Sequence, residues 1–316
     1  MLEENNLLIC WYFRLLEYFC QLTKIGVELG GKKCYFMTQF DQAYKAAILD
    51  IMNKGYEETN ERTGHKIKIL PGVTIRVDNG FPLLTLRKIP IKLFVAEMIW
   101  YITGSKRPDE FLNKFTGIWK DFTEADGTVA AAYGYRWRHH FGRDQLGQLV
   151  KHLEAEPHSR QAVVVTWDPG DDGLYGPGLK STPKKNVPCP FTFTVNIIGN
   201  KLHLHNIVRS NDMILGCPHD VAGFSLLQHL LAARLGVKPG TYTHSISNAH
   251  IYDIHYKQAW ELVERENKHP EVLLDTQPDW FARAEKGDEK LVEEITGILS
   301  AQYNPMPPIA GLKIVL

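Results

Sequence analysis

The chain is poor in cysteine, carries no net charge and has no long apolar run, and each shortage excludes something. Its five cysteines, Cys10, Cys20, Cys34, Cys189 and Cys217, form neither a CxxC pair nor an even framework among 316 residues. A small disulfide-stapled fold is thereby excluded. Free thiols in a reducing compartment are the simpler reading, with a cytoplasmic location as the expectation. Lys+Arg and Asp+Glu number 36 each, which gives a formal net charge of zero. Bulk electrostatic coating of nucleic acid needs an excess of cations, so no nucleic-acid partner is expected. The apolar stretch at residues 7–19 is interrupted by Arg14 and Glu17 and is too short to span a bilayer, so no membrane partner is expected either. It also lacks the basic start and small-residue cleavage site of a signal peptide.

What remains is an ordinary globular composition, 44% hydrophobic, with no internal repeat or low-complexity segment. Residues 1–36 read as an N-terminal extension. They are either an amphipathic helical appendage or translated upstream sequence outside the functional domain, which then spans 37–316. Helical spacing predicts helices over 40–54, 91–102, 146–153, 221–235 and 251–267. Alternation predicts a strand over 66–77, and an apolar run predicts a buried strand over 162–167. A hairpin is expected around Gly199-Asn200, joining strands 191–198 and 201–208, with a further strand at 241–247. Strands and helices mix without strict βαβ alternation, so the expected class is α+β.

One thiol stands out. Cys189 lies in Asn186-Val187-Pro188-Cys189-Pro190, between a Pro- and Gly-rich stretch and a β-type run. Most lone cysteines are small buried apolar residues. This one is followed by Arg209-Ser210-Asn211-Asp212 and then by Gly216 and Asp220, which places an anion site and acids near a nucleophile. Glu97 sits among apolar neighbours in a predicted buried helix, where a carboxylate must be paired, hydrated or functional. Arg62, Arg160 and Arg209 are candidate phosphate contacts, because a planar guanidinium fork fits phosphate oxygens. Each taken singly also fits a solvated surface arginine. Trp119, Tyr133 and Trp137 are either core or a platform for a flat heterocycle. His203 and His205 share a strand face, but no third ligand is evident. A polar strand is therefore the plainer reading, and no metal is expected.

Together these blocks resemble the thymidylate synthase superfamily from about Met37 to the C-terminus. Arg62-Thr63-Gly64 is similar to its phosphate-binding loop, and Glu97-Met98-Ile99-Trp100 to the helix carrying its catalytic Glu. Ile118-Trp119 and Tyr133-Gly134-x-x-Trp137-Arg138 are similar to its folate-side and active-site aromatics, and Pro188-Cys189 to its nucleophile. The most distinctive block is Arg209-Ser210-x-Asp212-x-x-Leu215-Gly216-x-Pro218. His250-Ile251-Tyr252 resembles the pair that contacts the sugar. The resemblance implies a large mixed sheet flanked by helices and a homodimer packed through that sheet on a two-fold axis. Across that interface Arg160 would reach the partner's phosphate. It also implies 5,10-methylenetetrahydrofolate as cosubstrate, with Trp119, Asp212 and Gly216 on the folate side. Substrate contacts would come from Arg62, Arg160, Arg209, Ser210, Asp220, His250 and Tyr252. Cys189, Glu97, Tyr133 and Asp220 would carry the catalysis.

Several positions depart from the synthase pattern. Asp220 stands where the synthases have Asn, and His219 where they usually have Phe. Pro190 and Val208 replace a usual His and Gln, and Gln161 a usual second arginine. Asp220 resembles the cytidylate hydroxymethylase branch, so (d)CMP hydroxymethylation is the expected activity. The alternatives are dCMP 5-methylation or a thymidylate synthase that methylates dUMP. From another class, a catalytically silent nucleotide-binding protein also fits. The apolar tail at 312–316 argues for the methyl products, because a closing terminus that excludes water favours hydride transfer.

Overall fold

The computed structural model describes residues 27–29, 32–61, 63–173 and 186–315, with side chains from residue 35 onward. The expectations for residues 1–26, for Arg62 and for most of the loop at 168–185 fall outside the described residues.

A short antiparallel hairpin of β1 (Val27–Leu29) and β2 (Lys32–Cys34) precedes helix α1 (Gln39–Lys54). The Thr38 side chain caps α1 by accepting from the Asp41 N–H, and Gly55 ends it. A six-stranded sheet follows in the order β3-β4-β8-β7-β6-β5. Its strands are β3 (Tyr56–Thr59), β4 (Lys66–Val77), β5 (Val163–Val165), β6 (Pro190–Ile198), β7 (Lys201–Asp212) and β8 (Lys238–Tyr252). All neighbours are antiparallel except β7 and β8, which run parallel, so the sheet is mixed and the class is α+β as expected.

Helices α2 (Ile91–Thr103), α3 (Gln145–Ala155), α4 (Gly216–Arg234), α5 (Tyr256–Glu264), α6 (Trp280–Glu285) and α7 (Glu289–Gln302) complete the architecture. Helix α2 is apolar on nearly every side and buries Phe94, Val95, Ile99 and Trp100 against α4 and α7. Gly104 ends it in the left-handed region at φ 79°, a conformation that costs glycine nothing. Helix α4 lies on β7 and β8 and buries Val221, Phe224, Leu227 and Leu230. The opposite sheet face carries half-exposed polar side chains, among them Thr194, Asn196, His205, Thr243 and Ser245. No helix among the described residues is long and apolar enough to cross a membrane.

Three expectations need correction. The strand predicted as buried over 162–167 is the three-residue edge strand β5; only Val164 is buried, while Val163 and Val165 are 45% and 39% exposed. The helix predicted from residue 251 begins at Tyr256, because Ile251 and Tyr252 are held in β8 by pairing with Lys68 and Ile67 of β4. Helix α4 starts at Gly216 rather than 221. Pro218 is no obstacle there, since a first helical turn has N–H groups without intrahelical acceptors.

Candidate active site

Cys189 is the last residue before β6. The register of β6 on β7 slips between Pro190 and Thr192, so a bulge stands directly beside the thiol. Arg209 closes over it from β7: its backbone N–H donates to the Cys189 carbonyl at 2.9 Å, and its Nη2 lies 3.7 Å from Sγ. The same guanidinium donates to the carbonyls of Pro188 (2.8 Å) and Val187 (3.1 Å) and packs 5.8 Å from the Trp167 ring. Positive charge beside a sulfur favours thiolate, the nucleophilic form. Tyr133 adds a hydrogen bond to the Cys189 backbone. The other described free cysteine, Cys217, is fully buried on α4, and burial pushes its thiol well above the usual range. It is an apolar core residue in effect.

Glu97 reaches the site from α2. Trp119 Nε1 donates to its Oε1 at 2.6 Å, and the Tyr101 hydroxyl, one turn along the helix, hydrogen-bonds to the same carboxyl. The Trp119 ring packs against Trp100 (5.6 Å), Tyr101 (6.3 Å) and Tyr133 (5.8 Å), which walls the carboxyl with aromatics. Burial raises the Glu97 pKa to about 7, and the two hydrogen bonds only partly offset that. Asp220, on the second turn of α4, is also pushed up to about 7, first by burial and then by the charge of Glu97. Asn211 Nδ2 donates to its Oδ2 at 2.8 Å. Two buried acids whose charges act on one another and whose pKa values are both raised are candidates for proton transfer.

The parallel register of β7 and β8 supplies a third group. Ser210 pairs with Asn248, and Asp212 with His250, so Arg209, Ser210, His250 and Tyr252 cluster at one end of two neighbouring strands. His250 Nδ1 lies 3.1 Å from the Asn248 side-chain oxygen, and its ring meets Tyr252 edge-on at 5.1 Å. Asp212 Oδ1 accepts from the N–H groups of Ile214 (2.8 Å) and Leu215 (3.4 Å) and so builds the turn into α4. A ligand contact from Asp212 would therefore fall to Oδ2. Gly216 lacks a side chain where one would crowd this corner: a Cβ would come within 3.1 Å of Asn211 Nδ2.

Arg160 is not in the cluster. It is exposed before β5, and the carbonyl of Ala162, just ahead of β5, accepts from Val195 N–H toward the end of β6 remote from Cys189. At the rise of a β-strand the separation from its own chain's thiol is roughly 25 Å, beyond the reach of any side chain. His203 accepts from the Thr241 N–H and His205 contacts Ser245 at 2.9 Å, which is how polar strand residues behave. His140, Asp168 and Asp171 gather closely enough to suggest a cation. The Arg136 guanidinium already lies among them, 3.0 Å from Asp171 and 2.8 Å from Asp172.

The structure thus brings Cys189, Arg209, Glu97, Tyr133 and Asp220 together, with His250 and Tyr252 at the neighbouring strand end. The thymidylate synthase family profile matches residues 42–310. The chain belongs to the thymidylate synthase family. Among curated relatives, the thymidylate synthases of three Francisella tularensis subsp. holarctica strains (FTNF002-00 / FTA, OSU18 and LVS) are each 32% identical over 219 residues, covering 66% of this chain and 78% of theirs. Membership makes the protein a one-carbon transferase of the thymidylate synthase type, acting on a pyrimidine nucleotide with a folate. Sequence reasoning missed Tyr101, Asn211 and His244. Tyr101 had a readable signal, since it stands four residues from Glu97 on one helix face. Asn211 and His244 had none, because their contacts join β7 to α4 and to β8.

Proposed function

We propose that the protein transfers the one-carbon unit of 5,10-methylenetetrahydrofolate to C5 of a pyrimidine nucleoside monophosphate. The observation that carries this reading is the Arg209 guanidinium 3.7 Å from Cys189 Sγ, with Glu97 and Asp220 in the same pocket. The Cys189 thiolate adds to C6 of the ring, which makes C5 nucleophilic. The folate supplies the carbon, and also a hydride where the product is a methyl group. Glu97, poised near neutrality, moves protons at the base through water. Tyr133 assists removal of the C5 proton, and the thiolate leaves as the C5=C6 bond re-forms. Trp119 and Asp212 edge the folate side.

The named relatives favour the methyl product on a uridylate over hydroxymethylation. In the tail, Leu312 packs on the core and the Lys313 N–H donates to Nε2 of buried His255 at 3.3 Å, while Ile314 is 57% exposed, so the tail by itself favours neither product. One observation favours a second base. An acid at position 220 complements cytosine when one oxygen accepts from the 4-amino group and the other donates its proton to N3. A buried mismatch there costs about 1–3 kcal/mol, enough to decide between bases. For phosphate, the distance of Arg160 from its own thiol supports donation to a second copy through the open polar sheet face.

The test is turnover with dUMP and dCMP separately, each with the folate donor. A rise in dihydrofolate absorbance marks methylation. Release of tritium from C5 without that rise marks hydroxymethylation. Neither signal, with nucleotide binding intact, would leave only the silent nucleotide-binding protein.

A further inference from the structure

Behind Asp220 lies a buried polar chain that the reaction does not obviously need. Asn211 sits between Asp220 and His244: its Nδ2 is 2.8 Å from Asp220 Oδ2, and its Oδ1 is 3.0 Å from His244 Nε2. The other ring nitrogen, His244 Nδ1, lies 3.0 Å from the Tyr242 hydroxyl and 3.4 Å from Asn206 Nδ2. All four residues behind the acid are buried: Asn206, His244 and Tyr242 at 1% exposure or less, and Asn211 at 4%. Burial holds His244 neutral, its pKa lowered to about 3.

A neutral imidazole has one donor and one acceptor nitrogen. The chain therefore has two self-consistent directions. In one, the Tyr242 O–H donates to Nδ1, Nε2–H donates to Asn211 Oδ1, and the amide donates to Asp220 Oδ2. In the other, the Asn211 amide is turned over, its nitrogen donates to His244 Nε2, Nδ1–H donates to the Tyr242 oxygen, and Asp220 itself donates to the Asn211 oxygen. The Asn206 amide nitrogen also meets Nδ1 and can only donate, which selects the first direction. Oδ2 of Asp220 is then an acceptor, and the acidic proton resides on Oδ1. In the reversed chain the proton on Oδ2 is committed to Asn211 and the carboxyl offers a base no donor, whereas losing the Asn211 donor altogether frees the proton to sit on either oxygen facing the base.

We propose that His244 and Tyr242, acting through Asn211, determine which oxygen of Asp220 carries the proton, and so are positioning residues for the choice between uracil and cytosine. A neutral carboxyl matches either base: it donates to O4 and accepts from N3–H, or accepts from the 4-amino group and donates to N3. Only the location of the proton distinguishes the two. The inference rests on Asp220 reading the base. Space for the chain is reserved by Gly216, whose missing Cβ would stand 3.1 Å from the Asn211 amide nitrogen.

The experiment measures kcat/KM for dUMP and dCMP, and binding of each nucleotide without folate, in the full-length protein and in Tyr242→Phe, His244→Asn and Asp220→Ala. The ratio between the nucleotides is internally normalised, because a general folding defect lowers both values together. Tyr242→Phe removes one hydroxyl and keeps the ring, so it serves as the variant least liable to misfold. The expected result is a fall in discrimination of about threefold or more for Tyr242→Phe and about tenfold or more for His244→Asn, on the scale set by one unmatched buried polar group. Unchanged ratios in folded Tyr242→Phe and His244→Asn, with discrimination lost in Asp220→Ala, would overturn the inference and leave base reading by Asp220 intact. An unchanged ratio in Asp220→Ala would overturn both.

Discussion

Along β7 the first eight residues alternate without a break, with Leu202, Leu204, Asn206 and Val208 buried and Lys201, His203, His205 and Ile207 turned away. From Arg209 the alternation fails: Arg209 and Ser210 are both half-buried, Asn211 is buried and Asp212 half-buried. The first stretch fixes the register of the sheet, since a slip of one residue would carry its apolar set to the wrong face. The second stretch gives three of its four side chains a polar partner: Cys189 for Arg209, Asp220 for Asn211, a helix-entry turn for Asp212. The candidate site residues accumulate where the regular pattern is interrupted, and the regular part holds them in place.

Substitutions at the two ends of the strand system should separate these roles. The largest effect is expected at the irregular end. Cys189→Ala should lower turnover by about 10⁴-fold or more with little change in thermal midpoint, checked by steady-state assay and scanning calorimetry. At the regular end, Leu204→Ala should cost about 2–5 kcal/mol in urea unfolding while turnover per folded molecule stays near the native value. If both substitutions moved stability and activity together, the division of labour would be wrong.

Asp220→Asn sharpens the contrast, because it changes recognition without removing a nucleophile. The ratio of kcat/KM for dCMP to that for dUMP should fall by about 10–100-fold, measured by parallel assays with each nucleotide. An unaltered ratio would remove position 220 from base reading.

The smallest effect is a dependence on pH. Glu97 and Asp220 both have folded pKa values raised to about 7, above those of exposed carboxyls. Folding therefore favours their protonated forms. Their contribution is fully present below the unfolded values near 4 and is lost as pH rises through about 7. Stability from urea midpoints should fall between about pH 4 and pH 7 from this source, and Asp220→Asn should flatten part of that fall. A steeper fall in the variant would contradict the assignment.

Much of this was legible in the sequence, and the exceptions have physical causes. Strand β4 and helices α1 and α2 follow their periodicities to within a residue at each end. Cys189, Arg209, Glu97 and Asp220, which the structure brings together, were singled out from residue type and order. Strand β5 was misjudged because an apolar Val-Val-Val run reads the same at a sheet edge as at its centre. The end of β8 was misjudged because pairing of His250 with Ile69, and of Tyr252 with Ile67, overrides a local helical pattern. The chain from Asp220 to Tyr242 was invisible because strand pairing and helix placement join residues 206, 211, 220, 242 and 244.

The covalent step is tested most directly by mass spectrometry of the intact protein, incubated with a 5-fluorinated pyrimidine deoxynucleotide and 5,10-methylenetetrahydrofolate. Fluorine at C5 blocks the proton loss that releases the ring, so a ternary adduct should accumulate and map to the peptide containing Cys189. Folded protein that binds the nucleotide yet gains no mass on that peptide would contradict the account.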